Sequence, residues 1–201
     1  MPRPHLSNPP QLHIVSSEAC ARQILREGDL SPELELVRRE TAIATQAATV
    51  EALSRSSGGT WSPLEVLEHL SLSYTATTKG LLRAMEAGRP KRARRTMGHR
   101  LRSFYVLGMG RFPSGIDAPK HTVPGAGLGD DPLRRFEDAL VAMDASLADS
   151  ERRFGRRTRV LVHPMLGPLT AEQWRRFHLV HGRHHLKQIV ARLNREGSGR
   201  Q

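Results

Sequence analysis

Four helix-start signals divide this chain more firmly than any other feature of it. Ser31-Pro32, Ser62-Pro63-Leu64-Glu65, Asp131-Pro132 and Thr170-Ala171-Glu172-Gln173 each set a side-chain oxygen ahead of a run of helix formers. Three of them put proline at the first helical position, where its missing N–H would be unpaired anyway. The second and fourth are capping boxes, in which Ser62 with Glu65, and Thr170 with Gln173, satisfy backbone N–H groups reciprocally. The stop signals are Gly58-Gly59, then Gly88 with Pro90, then the glycines and prolines on either side of the last two starts. The predicted helices run from Ser31-Pro32 to Ser57, from about 63 to 87, from Asp131-Pro132 to about Phe154, and from Thr170 to about Glu196. With only 4% aromatic residues, the composition is lean for a β-sandwich and suits helices built on Leu, Ala, Val and Met. Four long helices in one domain of 201 residues predict an all-α fold, and a four-helix bundle within that class.

The remaining segments connect or precede these helices. Pro2, Pro4, Pro9 and Pro10 predict an irregular N-terminal tail over residues 1–15, and Ser17 to Glu27 reads as a short helix ended by Gly28. The domain is expected over 16–196, with a C-terminal tail at 197–201. In the first long run, Leu36, Ile43, Ala47, Val50 and Leu53 recur near helical spacing and predict its buried face; in the third, Leu133, Phe136, Leu140, Met143 and Leu147 do so. Residues 112–129 hold three prolines and four glycines and predict a long loop between the second and third helices. Val160 to Gly167 reads as a short connector.

The formal net charge is +11, and eight basic residues fall within 89–111: Arg89, Lys91, Arg92, Arg94, Arg95, Arg100, Arg102 and Arg111. Phe104 and Tyr105 lie among them, in a segment that Leu101, Val106 and Leu107 mark as partly helical. A basic stretch with interleaved aromatics raises nucleic acid as a partner. No helix-turn-helix or RNA-binding signature accompanies it, so a solvated face, a dimer rim or an attraction for an anionic cosubstrate is the reading preferred here. One cysteine, Cys20, excludes an intramolecular disulfide framework and a multi-cysteine zinc site, and fits a reducing compartment. No window approaches the roughly 18 consecutive apolar residues of a membrane helix, and the N-terminus lacks the apolar core of a secretory signal. The expectation is a soluble, cytoplasmic protein.

Ten histidines then become the informative residues. His181 and His185 stand four apart in the last helix, one turn from each other on one face, a spacing able to grip one metal ion. Trp174 and Phe177 share that stripe, which turns the two imidazoles toward the interior. His69 follows the capping Ser62 by seven residues, between Val66 and Leu72 at i−3 and i+3. One histidine from one helix and two from another can form a three-nitrogen site inside a bundle. The same spacing also accommodates hydrogen-bonded core histidines or surface histidines.

Two further stretches carry a family pattern. Trp61-Ser62-Pro63-Leu64-Glu65-Val66-Leu67-Glu68-His69-Leu70 resembles the second-helix motif of the DinB-like (DinB/YfiT-type) metalloenzyme superfamily, and His181-Gly182-Arg183-His184-His185-Leu186-Lys187-Gln188-Ile189 resembles its fourth-helix motif. His163-Pro164-Met165-Leu166-Gly167-Pro168-Leu169-Thr170, ending in Trp174, is similar to the connector of an uncharacterised DinB-related subfamily. The resemblance spans about 33–195. It implies an up-down-down-up four-helix bundle, often dimeric, with a divalent cation held by His69, His181 and His185. Zinc or nickel would suit such a site best, with iron or manganese next. It also implies small-molecule chemistry at an open coordination position: thiol S-transfer, isomerisation or hydrolysis, or metal binding without catalysis. Because Cys20 precedes the matched region, any thiol would be an external one of low molecular weight.

Other residues are weaker candidates. Glu65, four residues before His69, is a candidate general base or supporting carboxylate that its capping box already explains, and Glu68 lies about 100° around the helix from His69, solvated or paired. His184 is an alternative to His185 as ligand. Gln188, at i+3 from His185, is placed to orient an imidazole or a water, or to pack the helix. His163 is a candidate for the pocket rim and His178 for a supporting donor or a surface position. Tyr74, Trp61 and the loop 112–129 are candidate pocket walls, and His121 within that loop is a remote fourth ligand.

Overall fold

Each start signal opens a helix, and side-chain caps form at Ser62, Asp131 and Thr170, whereas the Ser31 hydroxyl makes no cap bond. The computed structural model describes residues 30–56, 59–113, 115, 117–125 and 131–198. The expected tail 1–15, the helix Ser17–Glu27, Cys20 and the last residues of the chain lie outside them. Helix α1 covers Pro32–Thr45, α2 Val50–Ser54, α3 Pro63–Glu86, α4 Met97–Ser103, α5 Pro132–Phe154 and α6 Ala171–Ser198. At α3 the Ser62 hydroxyl accepts from Glu65 N at 3.2 Å while Glu65 accepts from Ser62 N at 2.7 Å. Thr170 and Gln173 repeat the exchange before α6 at 3.2 and 3.1 Å. The described chain is mostly helical, as the composition and the start signals predict.

Three departures are informative. The run expected as one helix to Ser57 breaks after Thr45. The Thr41 and Thr45 hydroxyls bond back to Val37 O and Thr41 O, and Thr49 accepts from Ala52 N as the cap of a new short helix, α2. Its buried face also differs: Leu34, Val37, Thr41 and Thr45 point inward, whereas Ile43 and Val50 are 65% and 76% exposed. Second, the connector Val160 to Gly167 contributes to a hairpin. Strands β1 (Leu161–His163) and β2 (Gly167–Leu169) pair antiparallel, with Leu161 opposite Leu169 and His163 opposite Gly167. Third, α4 runs on into a π turn, Phe104–Gly108, that leaves Met97, Leu101 and Phe104 exposed beside the arginines.

Packing is organised around two helix pairs, α3 against α5 and α1 against α6, with α3 also meeting α6. Leu67, Leu70, Tyr74 and Leu81 of α3 meet Phe136, Leu140, Met143 and Leu147 of α5 in one fully buried core. The expected apolar face of α5 is therefore the observed one, with Leu133 at its edge. The α1–α6 contact depends on Gly182. A Cβ there would lie 3.0 Å from Val37 Cγ1, so a larger residue requires Val37 to give by a few tenths of an ångström. An ionic hub ties three helices together. Arg175 of α6 donates to Asp144 and Glu151 of α5, each at 2.7 Å, and the other Asp144 oxygen accepts from Ser31 N at the start of α1. No helix among the described residues is long and apolar enough to cross a membrane.

Candidate metal centre

Helix α3 delivers His69, and α6 delivers His181 and His185 one turn apart. All three are buried, between 4% and 8% exposed. His69 Nε2 lies 3.3 Å from His181 Nε2, and His185 Nε2 lies 3.1 Å from the same atom. Among the described residues these three are the group able to hold a metal ion, and no carboxylate joins them.

The outer nitrogens set the direction of the inner ones. His69 Nδ1 donates to the carbonyl of Thr122 at 2.8 Å, and His185 Nδ1 donates to Gln188 Oε1 at 3.1 Å. Each bond places the proton on Nδ1 and leaves a lone pair on Nε2. Both lone pairs face His181 Nε2. A proton on that atom can bridge to only one of them, whereas a divalent cation satisfies all three nitrogens. The spacing fits as well: two ligands about 2.0–2.1 Å from a tetrahedral zinc stand about 3.3 Å apart. His181 Nδ1 is buried with no hydrogen-bond partner among the described residues.

Electrostatics favour the neutral, ligating form. Burial lowers the pKa of His69, with the Thr122 bond opposing it in part. Burial lowers His185 to about 3, assisted by His69. His181 falls well below its ordinary value through burial and then through the neighbouring His185 and His69. At neutral pH the imidazoles need lose no proton to accept a cation.

Aromatic rings close the site. Trp61 lies 5.1 Å from the His69 ring, Phe177 stacks on His181 at 5.4 Å, and Phe112 lies 5.2 Å from His181 and 5.0 Å from His184. Trp61 and the start of the loop 112–129 are thus site walls. Tyr74 is not: it is fully buried, packed between Phe136 and His178, and its hydroxyl has no partner among the described residues. His184 does not join the three nitrogens; its Nε2 instead accepts from Gln188 Nε2 at 3.1 Å, so Gln188 holds both histidines.

His163 organises the hairpin rather than a pocket rim, because its Nδ1 accepts from Met165 N and Leu166 N. His178 is a core residue whose Nε2 meets Thr77 Oγ1 at 3.1 Å, which replaces the surface reading. His121 is exposed and remains outside the cluster. Glu68 pairs with Arg135 of α5 at 2.8 Å. Two members of the site were not anticipated individually. Thr122 contributes a backbone carbonyl, which has no signature in its side chain, and Phe112 is an isolated aromatic at the start of an irregular segment.

No curated protein and no solved structure matches the chain. A family model described as "Protein of unknown function (DUF1569)" matches residues 33–192, a span that includes all three histidines. The chain therefore belongs to the DUF1569 family.

Proposed function

We propose that this protein is a divalent-metal-dependent enzyme of small-molecule chemistry, with His69, His181 and His185 as ligands through Nε2. The observation that carries the reading is the convergence of three buried nitrogens, two of them on imidazoles, His69 and His185, whose tautomers are set by Thr122 O and Gln188 Oε1. The motifs around Trp61 to Leu70 and His181 to Ile189 support it through their likeness to the DinB-like superfamily. So do the pairings of α1, α3, α5 and α6, which suit an up-down-down-up four-helix bundle. Three imidazoles leave a coordination position open, as catalytic rather than structural sites do. The bound cation would supply Lewis acidity toward water or a low-molecular-weight thiol, giving hydrolase or S-transferase chemistry. The chain's own residues supply the rest. Thr122 and Gln188 orient the ligands, burial keeps them neutral, and Phe177, Phe112 and Trp61 limit access of bulk water. Imidazole suits zinc and nickel first, then iron. The single cysteine supports a reducing, cytoplasmic setting.

Metal content decides the reading. The purified protein is expected to carry or take up one divalent ion per chain, and cobalt(II) is expected to give the strong visible absorption of a tetrahedral site. His69→Ala and His185→Ala should abolish uptake while circular dichroism stays helical. A well-folded wild-type protein that takes up no zinc, nickel or cobalt would sink the proposal. Turnover of thiol-reactive electrophiles or esters by the loaded protein alone separates an enzyme from a metal-binding protein without catalysis.

A further inference from the structure

A cavity of about 850 Å³, lined in part by Phe112 and His184, opens between α1, the π turn and α6. Its size falls within the range of small-molecule sites, about 300–1,000 Å³. None of His69, His181 and His185 lines it, whereas Phe112, whose ring lies against His181 and His184, and His184 itself do. The charges around it are one-sided. Arg111, Arg183 and Lys187 line it, and Glu40 is the one acidic residue that does. Glu40 is already engaged: Arg183 grips both of its oxygens, at 3.0 and 3.1 Å from Nε and 2.5 Å from Nη2. Neither Arg111 nor Lys187 forms a salt bridge among the described residues. The cavity thus presents two uncompensated cations. Between them lies apolar surface, including Tyr105 and Val190, which are 39% and 41% exposed.

We propose that this cavity is the binding site for a small organic anion, a carboxylate or similar group on an apolar body. Arg111 and Lys187 hold the anionic group, and the body lies against Tyr105, Val190 and Phe112. Anion binding in this cavity stands independently of the metal reading, because none of His69, His181 and His185 lines it. An arginine and a lysine contact anions in different ways, the first as a planar fork and the second as a point charge. Both tolerate a range of anionic groups, which is why the commitment is to charge and apolarity rather than to one compound. The engaged Glu40 removes the feature that would have favoured a cationic or neutral polar ligand.

The test uses the full chain with 3-phenylpropionate as probe, 3-phenylpropionamide as its neutral counterpart and phenethylammonium as its cationic one, followed by ligand-observed NMR and calorimetry. The carboxylate is expected to bind saturably and at least about tenfold more tightly than either counterpart, as charge-assisted hydrogen bonds require. Arg111→Gln combined with Lys187→Gln should remove that preference while the amide affinity stays the same; both positions are exposed, so folding is not at risk. Equal affinity for carboxylate and amide, a preference that survives the double substitution, or no saturable binding would each overturn the proposal. A zinc titration of the same samples keeps the two readings apart. Anion binding without zinc uptake sinks the metal centre alone, and zinc uptake without anion preference sinks this cavity alone.

Discussion

The amide of Gln188 accepts from His185 Nδ1 with its oxygen and donates to His184 Nε2 with its nitrogen, each at 3.1 Å. One side chain thereby fixes the tautomer of His185 and the orientation of the half-buried His184 beside it. Gln188→Leu keeps the bulk and removes both bonds. It is expected to weaken zinc binding by about 10–100-fold, the range found when hydrogen-bond partners of ligands are removed, whereas Gln188→Glu, which still accepts from His185, should retain most of the affinity. Competition with a chromophoric chelator measures both; equal affinity for the leucine variant and wild type would remove Gln188 from the site. Gly182 gives a second test at this scale. In a helix, glycine to alanine ordinarily stabilises by about 1 kcal/mol. Here the added methyl meets Val37 at 3.0 Å, and Val37 is β-branched and fully buried. Overpacking of about 1–3 kcal/mol should outweigh the propensity gain. Gly182→Ala is therefore expected to lower the melting temperature, and Val37→Ala in the same chain to recover part of the loss, a coupling that a double-mutant cycle reads directly. A more stable Gly182→Ala protein would show that α1 can retreat.

At the scale of elements, Asp144 joins three helices through its two oxygens, one taken by Arg175 of α6 and the other by Ser31 N at the start of α1. It is 5% exposed, so its removal leaves a partly buried guanidinium with only Glu151 and a helix-start N–H without its acceptor. Asp144→Ala is expected to destabilise by about 3 kcal/mol, seen as a lower urea midpoint with an unchanged slope. A loss below about 0.5 kcal/mol, the range of ordinary surface substitutions, would show that the hub is incidental. This contact was illegible in the sequence because it joins residues 113 and 31 positions apart, and no local pattern announces either separation. What was legible is local. Capping chemistry located the starts of α3 and α6, and the stripe of Trp174, Phe177, His181 and His185 is buried as helical periodicity requires. The break at Thr45 escaped because Thr41, Thr45 and Thr49 keep the helical spacing of the run, although the first two bond back to carbonyls one turn earlier and Thr49 caps a new helix. Phe112 and the Thr122 carbonyl escaped because a loop segment is placed by what it packs against, not by its own periodicity.

For the whole molecule, the buried histidines make stability depend on acidity. Burial holds His163 at about 4 and His178 at about 3, both far from a histidine's ordinary 6.5. In the unfolded chain these side chains take up protons as pH falls through about 6.5, whereas in the folded chain they stay neutral until pH 4 to 3. Protons therefore bind preferentially to the unfolded state across that window. The stabilising contribution is complete above about pH 6.5 and is lost on acidification, at about 1.4 kcal/mol per pH unit for each such histidine. His69, His181 and His185 act in the same direction, since their pKa values are also lowered. Uptake of protons by a chain already at +11 adds self-repulsion to the same trend. Chemical denaturation at pH 7.5, 6, 5 and 4 is expected to show a flat region followed by a steep decline. His178→Gln should make that decline shallower even though it lies outside the cluster of His69, His181 and His185, which separates the core contribution from that of the cluster. With zinc at about 100 times its dissociation constant, the loaded protein should gain about 2.7 kcal/mol near neutral pH. That gain should survive moderate acidification, because burial holds the pKa values of His69, His181 and His185 below 6.5 in the folded chain, and it should fall only where these imidazoles protonate in the folded state and compete with the ion. A stability that stays level down to pH 4 in both forms would contradict the burial of these histidines as neutral groups.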